Sequence, residues 1–246
     1  MAERIIDCIT FYDGLDILEI RLNCLAPYVD KFVICESPFD MLGKRKPLVF
    51  DENRQRFKDF NITSLIVADH DKHMDGWWTP YYYQLDYIMY GLVKVPDDAI
   101  ILLSDFDEIP DLTDYKGEEG VFNQKLYYYY LNVFTGITNW KGTRALRKDH
   151  IATLSGHRRR RSKVNVIGTG WHFSYISSVE DIIKKIGAFC HRELNNDAVK
   201  NNIAENKKNL VDPYNRTPNK FKIEMPSGPK WLLENKERYE QLFYKE

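Results

Sequence analysis

The chain has 246 residues, with 35 Lys and Arg against 36 Asp and Glu, and 43% of its residues are apolar. This near-neutral balance excludes a global field that would draw nucleic acid or a membrane surface, and 29% charged residues beside that apolar share excludes disorder as the main state. A chain of this length buries a sizeable core without covalent staples.

Arg4 to Phe11 is apolar and β-rich and reads as a first strand, broken by Tyr12-Asp13-Gly14. Asp16 then precedes a helical pattern with Leu18, Leu22 and Leu25 at i, i+4 and i+7, which Pro27 ends. Lys31 to Glu36 is a second strand, so the opening forms a β-α-β unit and predicts parallel strands with a right-handed crossover. Ser37 to Asn53 reads as a loop, Ser64 to Ala68 as a third strand, and Asp69 to Pro80 as a further loop holding His70 and His73. Tyr81 to Val93 places Leu85, Ile88, Met89 and Leu92 on one helical face, and Ile100 to Ser104 is a fourth strand.

The pattern changes beyond Pro110. Tyr127 to Leu131 predicts an aromatic strand with two of its four tyrosines buried and a ring free as a sugar platform. Asn139 to Arg144 predicts a loop, and the basic run His157 to Arg161 has a solvated, mobile loop as its commonest meaning. Ser178 to Phe189 predicts a helix capped by Ser178, Asn195 to Asn219 a partly helical stretch, and Pro229 to Phe243 a closing helix. No repeat or linker separates two units. The expectation is one α/β domain over residues 1–246 with a mostly parallel central sheet and helices on both faces.

Cys8, Cys24, Cys35 and Cys190 show no C-x-x-C spacing, so buried free thiols and a reducing compartment are expected. The first residues lack the apolar core of a secretory signal, and no window approaches the ~18–20 apolar residues of a membrane span. These features predict a cytoplasmic protein without a membrane span.

The chemistry concentrates in Ile100 to Pro110, an apolar run that ends in Asp105, Asp107 and Glu108. Desolvation forbids burying three unpaired acids, so they belong at the exposed carboxyl end of a strand, where open α/β sheets bind their ligands. Residues i and i+2 of a strand share a side, so Asp105 and Asp107 could converge on a hard cation, Mn2+ or Mg2+, which would bridge them to a nucleoside diphosphate. The plainer reading is an acidic surface turn capped by Pro110. Ile109 stands where a D-x-D-x-T phosphatase needs threonine, and the run does not continue as an EF-hand; a metal nuclease stays open.

His172, in Gly170-Trp171-His172-Phe173-Ser174, is a candidate Mn2+ ligand beside glycines that would admit a phosphate, or else a half-buried strand histidine. His70 and His73 carry the same two readings, metal ligand or solvated loop. Arg158 to Arg161 could grip a diphosphate, an anionic glycan or nucleic acid, though no aromatics interleave as single-strand binding requires.

Taken together and in order, Asp7-Cys8-Ile9-Thr10-Phe11-Tyr12, Asp16-Ile17-Leu18-Glu19-Ile20-Arg21-Leu22, Val29 to Glu36, Gly43-Lys44 with Lys46-Pro47, Ser104 to Pro110, Gly170 to Ser174 and Trp231 to Asn235 make the chain resemble glycosyltransferase family 17, the family that adds bisecting GlcNAc to N-glycans. The resemblance covers nearly the whole chain. It implies a GT-A type fold, with residues 1–110 as the nucleotide-sugar half and 111–246 as the acceptor half, and an inverting, metal-dependent transfer from a UDP-sugar to a hydroxyl of a glycan or glycoprotein acceptor.

By that resemblance Asp105 and Asp107 hold the metal and His172 completes it. Thr10, Phe11, Tyr12 and Glu36 face the uridine, and the arginine run with Arg158, or Arg144 and Lys141, faces the diphosphate. The base is expected at Glu108 or Asp149. UDP-GlcNAc is the default donor, with UDP-xylose and UDP-glucose as alternatives. The animal enzymes of the family carry a membrane anchor and work in the Golgi, a departure that points to a microbial or viral member acting on another acceptor. The rival readings are a metal-dependent phosphoryl-transfer enzyme or nuclease, and a non-catalytic glycan-binding module.

Overall fold

The computed structural model describes residues 4–69, 75–160, 164–217 and 219–245. Its first half contains β1 (Ile5–Phe11), α1 (Leu15–Leu25), β2 (Lys31–Glu36), α2 (Val49–Glu52), β3 (Ile62–Ile66), α3 (Thr79–Tyr87) and β4 (Ile100–Asp105). β1 pairs in parallel with β2 and β4, and β2 with β3, giving the order 3-2-1-4 of a nucleotide-binding doubly wound sheet. The uninterrupted apolar run of β4 is explained by two buried faces. Ile100 and Leu102 join the layer of Ile9, Phe11 and Leu18 on the α1 side, and Ile101 and Leu103 join Cys8, Leu85 and Leu92 on the α3 side.

α1 is enclosed beyond its leucine stripe: Glu19 and Arg21 are buried along with Ile17, Leu18, Ile20 and Leu22. It starts after Gly14, whose φ of 113° and whose closeness to the Phe106 ring (2.9 Å from an added Cβ) leave little room for another residue. The expected loop Ser37 to Asn53 contains the short α2, and the helix expected to run to Val93 gives way after Tyr87 to 3-10 turns at Ile88–Leu92. His70 and His73 lie outside the described residues.

The second half comprises β5 (Glu108–Pro110), β6 (Gly120–Tyr128), β7 (Val133–Phe134), β8 (Trp140–Arg147), α4 (Leu154–Arg159), β9 (Val166–Ser174), α5 (Val179–Ala188), α6 (Asp197–Asn209), β10 (Lys222–Ile223) and α7 (Lys230–Glu234). β8 runs antiparallel to β4 and pairs with β6, so both halves share one ten-stranded sheet, parallel in its first half and mixed in its second. β9 lies parallel to β6 and antiparallel to β5.

The loop expected at Asn139 to Arg144 is therefore largely strand. Its Asn, Lys and Gly resemble turn chemistry, but pairing with both β4 and β6 overrides local preference, and Gly142 makes room for the Gln124 side chain. The aromatic strand ends at Tyr128 because Tyr129 turns the chain with φ 67°, and Tyr127, Tyr128 and Tyr129 are all buried, one more than expected. Ser178 caps α5 as expected, its hydroxyl accepting from the Asp181 amide at 3.1 Å. The closing stretch is α7 followed by 3-10 turns at Lys236–Leu242. All four cysteines are buried and free. Among the described residues no helix is long and apolar enough to cross a membrane.

Candidate active site

The parallel register sets Thr10 beside Asp105, so β1 and β4 end at the same edge. A cavity of about 990 Å³ opens there. Thr10, Phe11, Tyr12, Asp105 and Asp107 form its floor, Trp78, Tyr81 and Tyr82 one wall, and Trp140, Lys141, Arg144 and His172 another. Arg158 and Arg159 of α4 and Lys185 of α5 also line it.

The acids do not converge as i, i+2 strand geometry suggested. β4 ends at Asp105 and a turn intervenes, so the two carboxylates are directed to different partners. Asp105 Oδ1 accepts from the Tyr81 hydroxyl at 2.9 Å and Oδ2 from Arg158 Nη2 at 2.6 Å. Asp107 Oδ2 lies 3.3 Å from Lys185 Nζ, and Oδ1 lies 3.4 Å from His172 Nε2. Burial raises the Asp105 pKa; Arg158 opposes this, while Glu108 and Asp107 add to it. Burial would raise the Asp107 pKa as well, but Lys185 and His172 hold it well below the usual carboxylate range.

Glu108, an expected base, is fully buried and its carboxylate is already committed. It accepts from Arg158 at 2.8 and 3.0 Å, from Trp140 Nε1 at 2.9 Å and from the Asp105 amide at 3.0 Å. Burial opposes its charge, yet Arg158 and Trp140 lower its pKa, which makes it a poor proton acceptor and an anchor for the turn. Asp149, the other candidate, is exposed and bound to Arg147 at the far end of the β4–β8 ladder, where Ile100 faces Arg147. Five residues of strand, about 17 Å, separate that end from Asp105.

Glu36 does not line the cavity. Its carboxylate accepts from Lys46 Nζ at 3.2 Å and from the Phe50 and Asp51 amides, so it ties α2 to β2. Arg144 does line the cavity. Its Nη2 donates to the Arg160 carbonyl at 2.6 Å and its Nε is buried without a partner; burial, then Arg158, lowers its pKa.

Arg158 of the basic run is built into the site, while Arg159 and Arg160 remain exposed. Thr153 caps α4, and Ser155 is tied to Asp86 of α3 at 2.6 and 2.8 Å, which leaves the Arg158 side chain only 14% exposed. Arg159 lies over the Tyr82 ring, Arg160 is exposed, and Arg161 falls outside the described residues. His172 is buried, its ring 4.9 Å from that of Trp140, with Nδ1 unpartnered. Among the described residues no three His, Cys, Asp or Glu side chains come together as a metal set, so Asp105 is not joined to Asp107 and His172.

Tyr81, Trp140 and Lys185 were not anticipated. Each reads locally as a helix or loop residue, and only tertiary packing carries it to the acids. The cavity wall holds Lys141, Arg144, Arg158, Arg159, Lys185 and Arg216 against Asp105, Asp107 and Glu193; with Glu108 and Asp212, which pair with Arg158 and Arg216 from behind the wall, the cations still outnumber the acids in a chain whose net charge is -1.

The profile described as Glycosyltransferase family 17 matches residues 1–212. Proteins named beta-1,4-mannosyl-glycoprotein 4-beta-N-acetylglucosaminyltransferase from Rattus norvegicus and Homo sapiens are each 32% identical over 137 residues, 52% of this chain and 24% of theirs. The match thus spans about a quarter of the curated relatives' length. The crystal structure of S. aureus TarS 1-349 aligns over 84% of this chain and 71% of that one at 12% identity and a TM-score of 0.37, too distant a likeness to carry an argument.

Proposed function

The chain belongs to glycosyltransferase family 17, and from that premise we propose that it is a GT-A type enzyme that moves a sugar from a UDP-sugar to a hydroxyl of a glycan acceptor, with inversion. The observation that carries this reading is the surplus of cations around a cavity at the carboxyl edge of parallel strands. Such a cavity suits an anionic diphosphate. Arg144, Arg158, Arg159 and Lys185 face it, and Thr10, Phe11 and Tyr12 form the floor on which the uridine rests. Residues 1–110 supply the uridine floor and the acids Asp105 and Asp107, and 111–246 supply the cations for the diphosphate together with the acceptor side. UDP-GlcNAc is the default donor, in keeping with the name of the curated relatives, with UDP-xylose and UDP-glucose as the alternatives.

Asp107 and His172 fit a divalent cation. Their donor atoms, Asp107 Oδ1 and His172 Nε2, lie 3.4 Å apart, a spacing that two ligands each about 2.1 Å from one ion share. Bound there, Mn2+ or Mg2+ would stabilise negative charge on the departing diphosphate. Asp105, held by Tyr81 and Arg158, serves as a hydrogen-bond acceptor for the donor. An inverting transfer also needs a group to take the acceptor proton, and the carboxylates that line the cavity are Asp105, Asp107 and Glu193.

The decisive experiment measures UDP binding by calorimetry with and without Mn2+, followed by a screen of UDP-sugars for hydrolysis and transfer. Mn2+-enhanced UDP binding with release of one sugar is expected. No UDP binding overturns the reading, and binding without turnover of any UDP-sugar leaves a glycan-binding module.

A further inference from the structure

Beneath the acid turn lies a charged side chain that none of the proposed contacts uses. Arg21 of α1 and Asp7 of β1 are both fully buried. Arg21 Nε and Nη2 donate to the two oxygens of Asp7 at 2.9 and 2.6 Å, a two-pronged pair. The remaining edge of the guanidinium points elsewhere. Nη1 donates to the Glu108 carbonyl and, at 3.4 Å, to the Asp105 carbonyl. These two carbonyls bracket the turn that carries Asp105, Asp107 and Glu108. Arg21 itself is absent from the cavity wall.

A buried ion pair is an expensive way to dock a helix on a strand, since well-packed apolar side chains of similar volume do it as well or better. What an apolar pair cannot do is donate to two inward-facing carbonyls at the point where β4 gives way to β5; the Glu108 carbonyl also accepts from the Thr143 hydroxyl at 3.3 Å, but Arg21 alone links it to the Asp105 carbonyl across the turn. A lysine could neutralise Asp7 but lacks the planar fork that reaches the carboxylate and the carbonyls together. We propose that Arg21 is a positioning residue: anchored by Asp7, it fixes the Asp105–Glu108 turn from below and so sets the direction in which Asp105 and Asp107 enter the cavity.

The activity readout rests on the transferase reading, so the test adds one that does not. Arg21→Lys is compared with the paired replacement Asp7→Leu with Arg21→Met, which removes both charges and spares the fold an unpaired one. Thermal midpoint, kcat and KM for the UDP-sugar, and amide exchange at Asp105 and Phe173 are measured. Those two amides donate to Glu108 Oε2 and to the Asp107 carbonyl, so they report the turn directly.

For the paired variant we expect a midpoint near that of the parent, exchange at both amides faster by about tenfold, and kcat lower by about 100-fold with little change in KM, as misplacement of reacting groups by about 1 Å produces. Arg21→Lys should show the same exchange and kcat losses. Parental exchange and kcat in either folded variant overturn the proposal. If the paired variant does not fold, Arg21→Lys decides on the same criteria. If the parent chain transfers no sugar, the transferase reading fails and the exchange rates alone decide the role of Arg21.

Discussion

Arg158 grips Glu108 with both ends of its guanidinium, at 2.8 and 3.0 Å, and reaches Asp105 with the same Nη2 at 2.6 Å. One cation thus pairs with two acids, one of which has no solvent exposure at all. Removing it strands buried negative charge. Arg158→Ala should lower stability by about 3–5 kcal/mol in urea denaturation. Arg158→Lys should restore only a minor part, because an ammonium cannot span both oxygens of Glu108 while holding Asp105.

Asp107→Ala should abolish the Mn2+-dependent part of UDP binding while leaving the circular dichroism spectrum close to the parent, with a lower thermal midpoint because Lys185 and His172 lose their buried partner. His172→Ala should weaken Mn2+ by about 10–100-fold, the range seen when a metal's supporting groups are lost. Calorimetric titration of UDP across a Mn2+ series checks both. Unchanged metal dependence in Asp107→Ala would remove this residue from the ion.

Arg144 has a buried Nε without a partner at the cavity wall. Arg144→Ala should cost UDP affinity about 10–100-fold, the worth of a hydrogen bond to a charged group. The same variant should bind uridine as the parent does. An equal loss for uridine and UDP would show that Arg144 shapes the nucleoside floor instead of meeting the diphosphate.

Gly170 faces Pro110 across the β9–β5 ladder, and a Cβ there would stand 2.4 Å from the Ile109 carbonyl and 2.9 Å from Pro110 Cα. Both obstacles are backbone and cannot rotate away. Gly170→Ala should push β5 from β9, lower stability by about 1–3 kcal/mol, and reduce turnover through the displaced Glu108. A denaturation curve and a kcat measurement on the same preparation test the two effects together.

Acid should loosen the tail from α1. Glu19 is buried among Arg56, Arg238 and Tyr239. Burial favours its neutral form, but these partners prevail and lower its pKa below the ordinary 4.5. A depressed folded-state pKa contributes stability that is complete above the unfolded value and drains away as pH falls through the folded one. Glu19→Gln should therefore lose stability near neutral pH and show a flatter decline between roughly pH 5 and pH 3, measured as denaturation midpoint against pH.

The parallel half was legible because its strands are short apolar runs bounded by turn residues, and burial on both faces demands that composition. The place of the acid cluster at the end of that strand was legible for a related reason, but its exposure was not: Asp107 and Glu108 are buried because Lys185 and Arg158, distant in sequence, pair with them. What escaped were residues whose roles depend on partners far along the chain. Arg158 sits in a charge run that reads as solvated until Ser155 is seen tied to Asp86, 69 positions away. Lys185 is an ordinary polar position of α5, and only the packing of that helix against α6 and the Leu126 and Tyr128 side of β6 brings it to Asp107. Glu36 looked free to meet a ligand because the amides of α2 that it caps belong to a segment with no helical signature. Strand periodicity also misled at its limit, since the i, i+2 rule lapses where β4 stops at Asp105.

The β4–β8 ladder has a mechanical consequence. It runs from Ile100 opposite Arg147 to Leu103 opposite Arg144, welding the strand that ends in Asp105 to the one that carries Trp140 and Arg144. Among the described residues the sheet runs unbroken from one half to the other, so its two sides cannot shut like jaws without tearing hydrogen bonds from the middle of the sheet. The ladder therefore holds the spacing between Asp105 and Arg144 across the cleft floor.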